Sequence, residues 1–195
     1  MKLISTFILS TIWLTAIGQN LPERNWIDSE FNYTDSAGNT VKIFNSLPKG
    51  GGRYIDSGGT NYSYVIFWNR LINESDNPLE LVMYFPDSLF AFFPSKDSYI
   101  RLFLPPDTMT VDKIHLFDYG FENLKPFLDK RFNTPPFIQK TIPPQSNSMF
   151  YIVVLFHKVQ DSTRSSLVLN ENDLFYNIRV GENATMIPCG HLLFK

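Results

Sequence analysis

The chain has 195 residues, of which 44% are apolar and 18% charged, and its formal charge is -2. That is enough apolar matter for one core, so global disorder is excluded, as are long solvated helices and coiled coils. The near-neutral, slightly acidic balance also excludes a nucleic-acid binder that works through charge.

Residues 1–18 read as a secretory signal peptide. Lys2 supplies a positive start, residues 3–17 are an apolar run, and Ala16-Ile17-Gly18 offers small residues to a signal peptidase. The run is shorter than the roughly 20 residues a spanning helix needs. The mature chain is expected to begin at Gln19 and, having lost Lys2, to carry -3 instead of -2. The longest later apolar run, residues 149–156, is only strand length, so no integral membrane segment is expected. The expected location is secreted, or periplasmic within the cell envelope. Cys189 is the single cysteine, so no internal disulfide supports the fold. Asn32, Asn61, Asn73 and Asn183 begin glycosylation sequons that matter only in a glycosylating host.

From residue 19 onward the pattern is that of one domain. Residues 31–34 and 41–44 flank Asp35-Ser36-Ala37-Gly38-Asn39 and read as a hairpin. Gly50-Gly51-Gly52 and Ser57-Gly58-Gly59 bracket Arg53-Tyr54-Ile55-Asp56, which reads as a flexible connection or a short edge strand. Residues 62–72 form a strong strand. Tyr62, Tyr64, Ile66 and Trp68 share one face, and Val65, Phe67 and Leu71 the other, so both faces are expected to be covered. A turn cluster at residues 73–78 then leads into residues 79–85, read as the partner strand.

Residues 99–104 are a further strand, ended by Pro105-Pro106. Over 108–132 the period changes. Thr110 is expected to cap a short helix ending near Gly120, and Phe121, Leu124, Leu128 and Phe132 recur at helical spacing with Pro126 in the first turn. Residues 137–142, between two Pro-Pro pairs, suit an edge strand. Residues 149–157 are apolar on both alternations and should lie centrally, because an exposed run of that kind templates aggregation. Residues 167–169, 174–180 and 192–194 complete the pattern. Eight to ten strands with close turn signals predict a mainly β fold: an antiparallel β-sandwich of immunoglobulin-like architecture with a short helical insertion around 108–132.

Candidate chemistry is sparse. Asp56-Ser57-Gly58-Gly59 resembles the stretch around the serine of trypsin-like proteases. Those enzymes place His and Asp before the Ser, whereas His115, His157 and His191 all follow Ser57, so a Gly-rich turn is the better reading. Cys189 and His191 would share a face of a regular strand, and with His157 or His115 could bind a soft metal or activate the thiol; the competing reading is a small buried Cys. Oxygen-rich turns at residues 73–77 and 170–173 could hold calcium, but ordinary turn chemistry explains them as well. No cofactor is implied.

Of the many aromatics, most are expected in the core. Trp26 near the mature N-terminus, with Arg53 and Tyr54 between the glycine clusters, are the candidate ligand-binding residues, since loops on a rigid scaffold carry binding. The functional expectation is an exported, non-enzymatic binding or assembly module with a protein or glycan partner. The alternatives are a secreted hydrolase or carbohydrate-active enzyme, and a protease-inhibitor-like sandwich using residues 50–59 as its loop.

Overall fold

The structure, a computed structural model, describes residues 26–85, 89–91, 95, 97–159 and 161–195. The expected signal peptide, residues 1–18, lies outside the described residues. The fold is mainly β. Its strands are β1 (Ile27–Thr34), β2 (Thr40–Ser46), β3 (Lys49–Ile55), β4 (Asn61–Asn73), β5 (Leu79–Tyr84), β6 (Tyr99–Phe103), β7 (Phe137–Ile142), β8 (Ser146–His157), β9 (Thr163–Asn170), β10 (Asp173–Val180) and β11 (Asn183–Phe194). Two antiparallel sheets result. The first runs β1-β2-β4-β8-β6, with β3 also paired to β4, and the second runs β7-β5-β11-β10-β9.

The long alternating strands explain the layering. Phe67 and Leu71 of β4, with Phe150, Ile152 and Val154 of β8, face a core shared with Leu81, Leu167, Tyr176 and Ile178 of the second sheet. The opposite alternation of β4 and β8 (Tyr62, Tyr64, Ile66 and Trp68; Tyr151, Val153 and Leu155) faces a second core on the other side of the first sheet. The inserted segment between β6 and β7 closes that core with Met109, Ile114, Tyr119, Phe121 and Leu128. At roughly 1.5–3 kcal/mol per fully buried large side chain, a sheet covered on both faces offsets the missing disulfide.

The β1–β2 hairpin forms as expected. Asp35 Oδ1 accepts the Ala37 and Asn39 N–H groups at 2.9 Å each and closes the turn. The segment around Arg53 and Tyr54 is an edge strand, and β4 explains its glycines. A Cβ at Gly52 would lie 2.6 Å from Tyr64 Cε1, and one at Gly50 2.8 Å from the Tyr64 carbonyl oxygen. The stretch considered for a protruding inhibitor loop is therefore strand β3 followed by a turn closed by Asp56, whose Oδ1 accepts the Gly58 and Thr60 N–H groups.

Two expectations are corrected. Strand β5 does not pair with β4, because β4 already has β2 and β3 on one edge and β8 on the other. The chain crosses instead to the second sheet, where β5 pairs with β7 and β11. Buried Asn73 fixes the crossing. Its Nδ2 donates to the carbonyls of Asn77 (2.8 Å) and Pro143 (3.1 Å), and its Oδ1 accepts the Ser75 hydroxyl at 2.7 Å. With that amide fully engaged, the Asn73 sequon cannot carry a glycan in the folded chain. The second correction concerns the insertion. Thr110 precedes a 3-10 turn, Val111–Lys113, but makes no side-chain cap, and a second 3-10 turn, Phe117–Gly120, replaces the expected helix. Helix α1 (Leu124–Arg131) does form, with Pro126 in its first turn.

Both edges of the second sheet, β7 and β9, are protected. Residues of β7 alternate inward as Ile138, Lys140, Ile142, and an inward lysine between flanking proline pairs discourages strand addition. Along β9, the Leu167 N–H donates to Asn45 Oδ1 at 2.7 Å and the Leu169 N–H to the Tyr33 hydroxyl at 3.1 Å, so side chains of the first sheet satisfy its outer edge. Among the described residues, no helix is long and apolar enough to cross a membrane.

Candidate functional site

Most of the inserted segment packs inward, but one turn does the reverse. Phe117 is 81% exposed and Leu116 51%, the former the most exposed large apolar side chain among the described residues. Leaving a Phe in water forgoes roughly 1.5–3 kcal/mol of burial. The residues that follow are buried and held in an unusual backbone. Asp118 (φ 49°), Tyr119 (φ 56°) and Gly120 (φ 67°) are three consecutive left-handed residues. Only the last is a glycine, so the other two store strain of order 1–3 kcal/mol each.

Three side chains and one backbone carbonyl from other parts of the fold hold the turn. The Tyr64 hydroxyl donates to Asp118 Oδ2 at 2.7 Å. The Tyr119 hydroxyl donates to the Leu47 carbonyl at 2.6 Å, and the Tyr151 hydroxyl to the Tyr119 carbonyl at 2.8 Å. Lys49 Nζ donates to the carbonyls of Ile114 (2.6 Å) and Leu116 (2.9 Å). The same ammonium lies 3.9 Å from the Trp26 ring centre and 4.4 Å from that of Tyr119, so two aromatic faces add cation–π attraction. Burial pushes the Lys49 ammonium down from its ordinary pKa, against the opposing charge of Asp118. Burial first, and the Asp118 bond second, push the Tyr64 phenol up to about 12. Asp118 Oδ1 is buried with no hydrogen-bond partner among the described residues, a further cost the turn carries.

Strand β3 thus grips the turn from one side and β4 and β8 from beneath. The result is an exposed Leu116-Phe117 pair on a backbone with little freedom. Beside it, Pro48, Lys49, His115 and Phe117 border a shallow depression of about 390 Å³. Lys49 and Asp118, which both line it, are engaged in holding the turn. What the arrangement can do is offer a pre-ordered apolar anchor to a complementary pocket.

The three residues singled out in the sequence are placed as follows. Trp26 is half-buried at the base of this turn, edge-on to Tyr119 with ring centres 6.4 Å apart. Tyr54 is 3% exposed, its ring beside Tyr62 and Phe132 and its hydroxyl donating to Asp129 Oδ1 at 3.0 Å. Arg53 is exposed and borders a separate open groove of about 480 Å³ with His157 and Lys158. The structure brings Trp26 to the turn and leaves Arg53 and Tyr54 elsewhere.

The Cys-His pair does not meet. A β-bulge in β11 between the pairs Leu174–Gly190 and Phe175–Pro188 shifts the alternation. Cys189 is buried in the shared core, whereas His191 sits beside inward Leu192 and faces outward. Burial pushes the Cys189 thiol well above its ordinary range. His115 lies in the insertion, and His157 stacks on Tyr99 at 4.8 Å. Among the described residues, no group of three or more His, Cys, Asp or Glu could hold a metal ion.

Leu116, Phe117 and Asp118 were missed in the sequence. Asp118-Tyr119-Gly120 carries a turn signal, but nothing local says that Phe117 points out while Phe121 points in. Comparison with protein-family models, curated proteins and solved structures finds no match.

Proposed function

We propose that the chain is an exported binding module with an immunoglobulin-like sandwich scaffold, and that it engages a protein partner through the Leu116–Phe117 turn. The observation that carries this reading is the 81% exposure of Phe117 on a backbone locked by Tyr64, Tyr151 and Lys49. Natural folds tolerate strain and exposed apolar surface where a function uses both. Large aromatic anchors presented without ordering cost are the usual centres of protein interfaces. Export is supported by the leader-like residues 1–18. The sandwich reading is supported by two antiparallel sheets over one shared core. A protein partner is favoured over a glycan because the exposed pair is aliphatic and phenyl, with no polar tip to bond sugar hydroxyls.

The test is a photo-crosslinking residue placed at 117, and as a control at exposed Ile55, in the mature protein within its own host. One discrete adduct from 117 alone is the expected result. Affinity of the purified pair should then fall roughly thirtyfold or more in Phe117→Ala, with the unfolding midpoint unchanged. Equal adducts from both positions, or wild-type affinity in Phe117→Ala, would sink the proposal.

A further inference from the structure

At the other end of the two-sheet core the layers stand apart. The β1–β2 hairpin of the first sheet and the β9–β10 hairpin and β11 of the second enclose a cavity of about 610 Å³. That volume is within the range of small-molecule sites. The closed core lies behind it, with Val41, Leu169 and Leu192 only 1%, 8% and 3% exposed. Tyr33 and Phe194 border it as partly buried walls. The mouth is different in character, for Asp35 and Glu171 lie there.

Three features make this more than a gap between sheets. The walls are fixed across the layers, because the Tyr33 hydroxyl accepts the Leu169 N–H at 3.1 Å. The Asp35 carboxylate is held in place by the Ala37 and Asn39 amides and by Asn39 Nδ2 at 2.9 Å. The lysines next to the lining residues in sequence are already paired, Lys42 of β2 with Glu74 at 2.6 Å and Lys195, just after β11, with Glu80 at 2.8 Å. Neither of these two lysines therefore balances the mouth charges of Asp35 and Glu171. Apolar walls beside an anionic rim complement one ligand chemistry.

We infer that this cavity binds a small amphipathic cation, its aliphatic or aromatic tail lying against Tyr33 and Phe194 and its ammonium head between Asp35 and Glu171. Apolar contact supplies most of the affinity and the rim selects the sign of the head group. The site lies apart from the Phe117 turn and stands or falls independently of it.

The probes are octylammonium and octanoate, equal in tail and opposite in charge, used below their self-association range against the folded mature protein. Binding is read by methyl NMR of Val and Leu side chains and by calorimetry. The expected result is saturable one-to-one binding of octylammonium, with shifts among the Val41, Leu169 and Leu192 methyls behind the cavity, and at least tenfold weaker binding of octanoate. Glu171→Lys, a substitution at an exposed turn, should weaken octylammonium at least fivefold, and Phe194→Ala should weaken both probes without altering their order. Equal binding of the two probes would overturn the cation assignment. No binding, or binding indifferent to both substitutions, would overturn the site.

Discussion

The Tyr64 hydroxyl and Asp118 Oδ2 lie 2.7 Å apart, and this bond joins a central strand to the strained turn that presents Phe117. The ring that carries the hydroxyl reaches Asp118 only because Gly52 leaves room beneath it. Tyr64→Phe leaves a second buried Asp118 oxygen without a donor, which costs about 1–3 kcal/mol. Gly52→Ala pushes on the same ring and costs a similar amount, about 1–3 kcal/mol. Urea titrations should show both losses, and the pair should be non-additive because both act on one bond. Full additivity would mean that Gly52 and Tyr64 serve different ends.

Asn45 performs the same kind of task between the sheets. Its Oδ1 accepts from the Leu167 N–H at 2.7 Å and from Asn69 Nδ2 at 2.6 Å. Asn45→Leu fills the space but strands both donors, and about 2–4 kcal/mol of stability should be lost. Hydrogen exchange would localise the effect, since the Leu167 amide should lose protection more than the Ile152 amide. Unchanged protection at Leu167 would contradict the assignment.

Alkaline pH should unfold the chain. Tyr54, Tyr64, Tyr119 and Tyr151 are each pushed up to about 12, burial being the first cause. In the unfolded chain a tyrosine ionises near 10. Between about pH 10 and 12 the unfolded state holds fewer protons, so stability is complete below about 10 and is lost as the pH rises towards 12. Each such group contributes a slope of about 1.4 kcal/mol per pH unit. The check is the urea midpoint from about pH 8 to about pH 11.5, beside the rise in phenolate absorbance. A flat midpoint to pH 11.5 would show that these phenols ionise as freely folded as unfolded.

Cys189 should be inert in the folded protein. The residue is fully buried and its thiol is pushed up by that burial, so the reactive thiolate is scarce and out of reach. A thiol reagent at pH 8 should label the chain only in denaturant, with the same midpoint as the loss of tryptophan fluorescence. Rapid native labelling would reopen thiol chemistry at this position.

Where the sequence was legible, a strong local period was the reason. The double-sided alternation of Tyr62–Trp68 and of Phe150–Phe156 announced two covered strands, and both are central in the first sheet with one core on each face. The turn chemistry of Asp35 to Asn39 announced its hairpin, and Pro126 marked the first turn of α1. Where it was illegible, the deciding partner is remote in the chain. Residues 79–84 look the same whether they pair with β4 or with β11, and only the occupied edges of β4 choose. Cys189 and His191 look like neighbours on one face until a bulge, opposite residues 174 and 175, separates them.

The sequence by itself determined the mainly β class, the two-faced central strands and the absence of a disulfide, because periodicity and composition act over a few residues. Tertiary structure alone decided the direction in which Phe117 points. Its exposure follows from bonds to Leu47, Lys49, Tyr64 and Tyr151, which lie 32 to 72 residues from the turn residues they hold. A left-handed Asp118-Tyr119 is unfavourable in isolation and persists only where such distant partners meet in the folded chain.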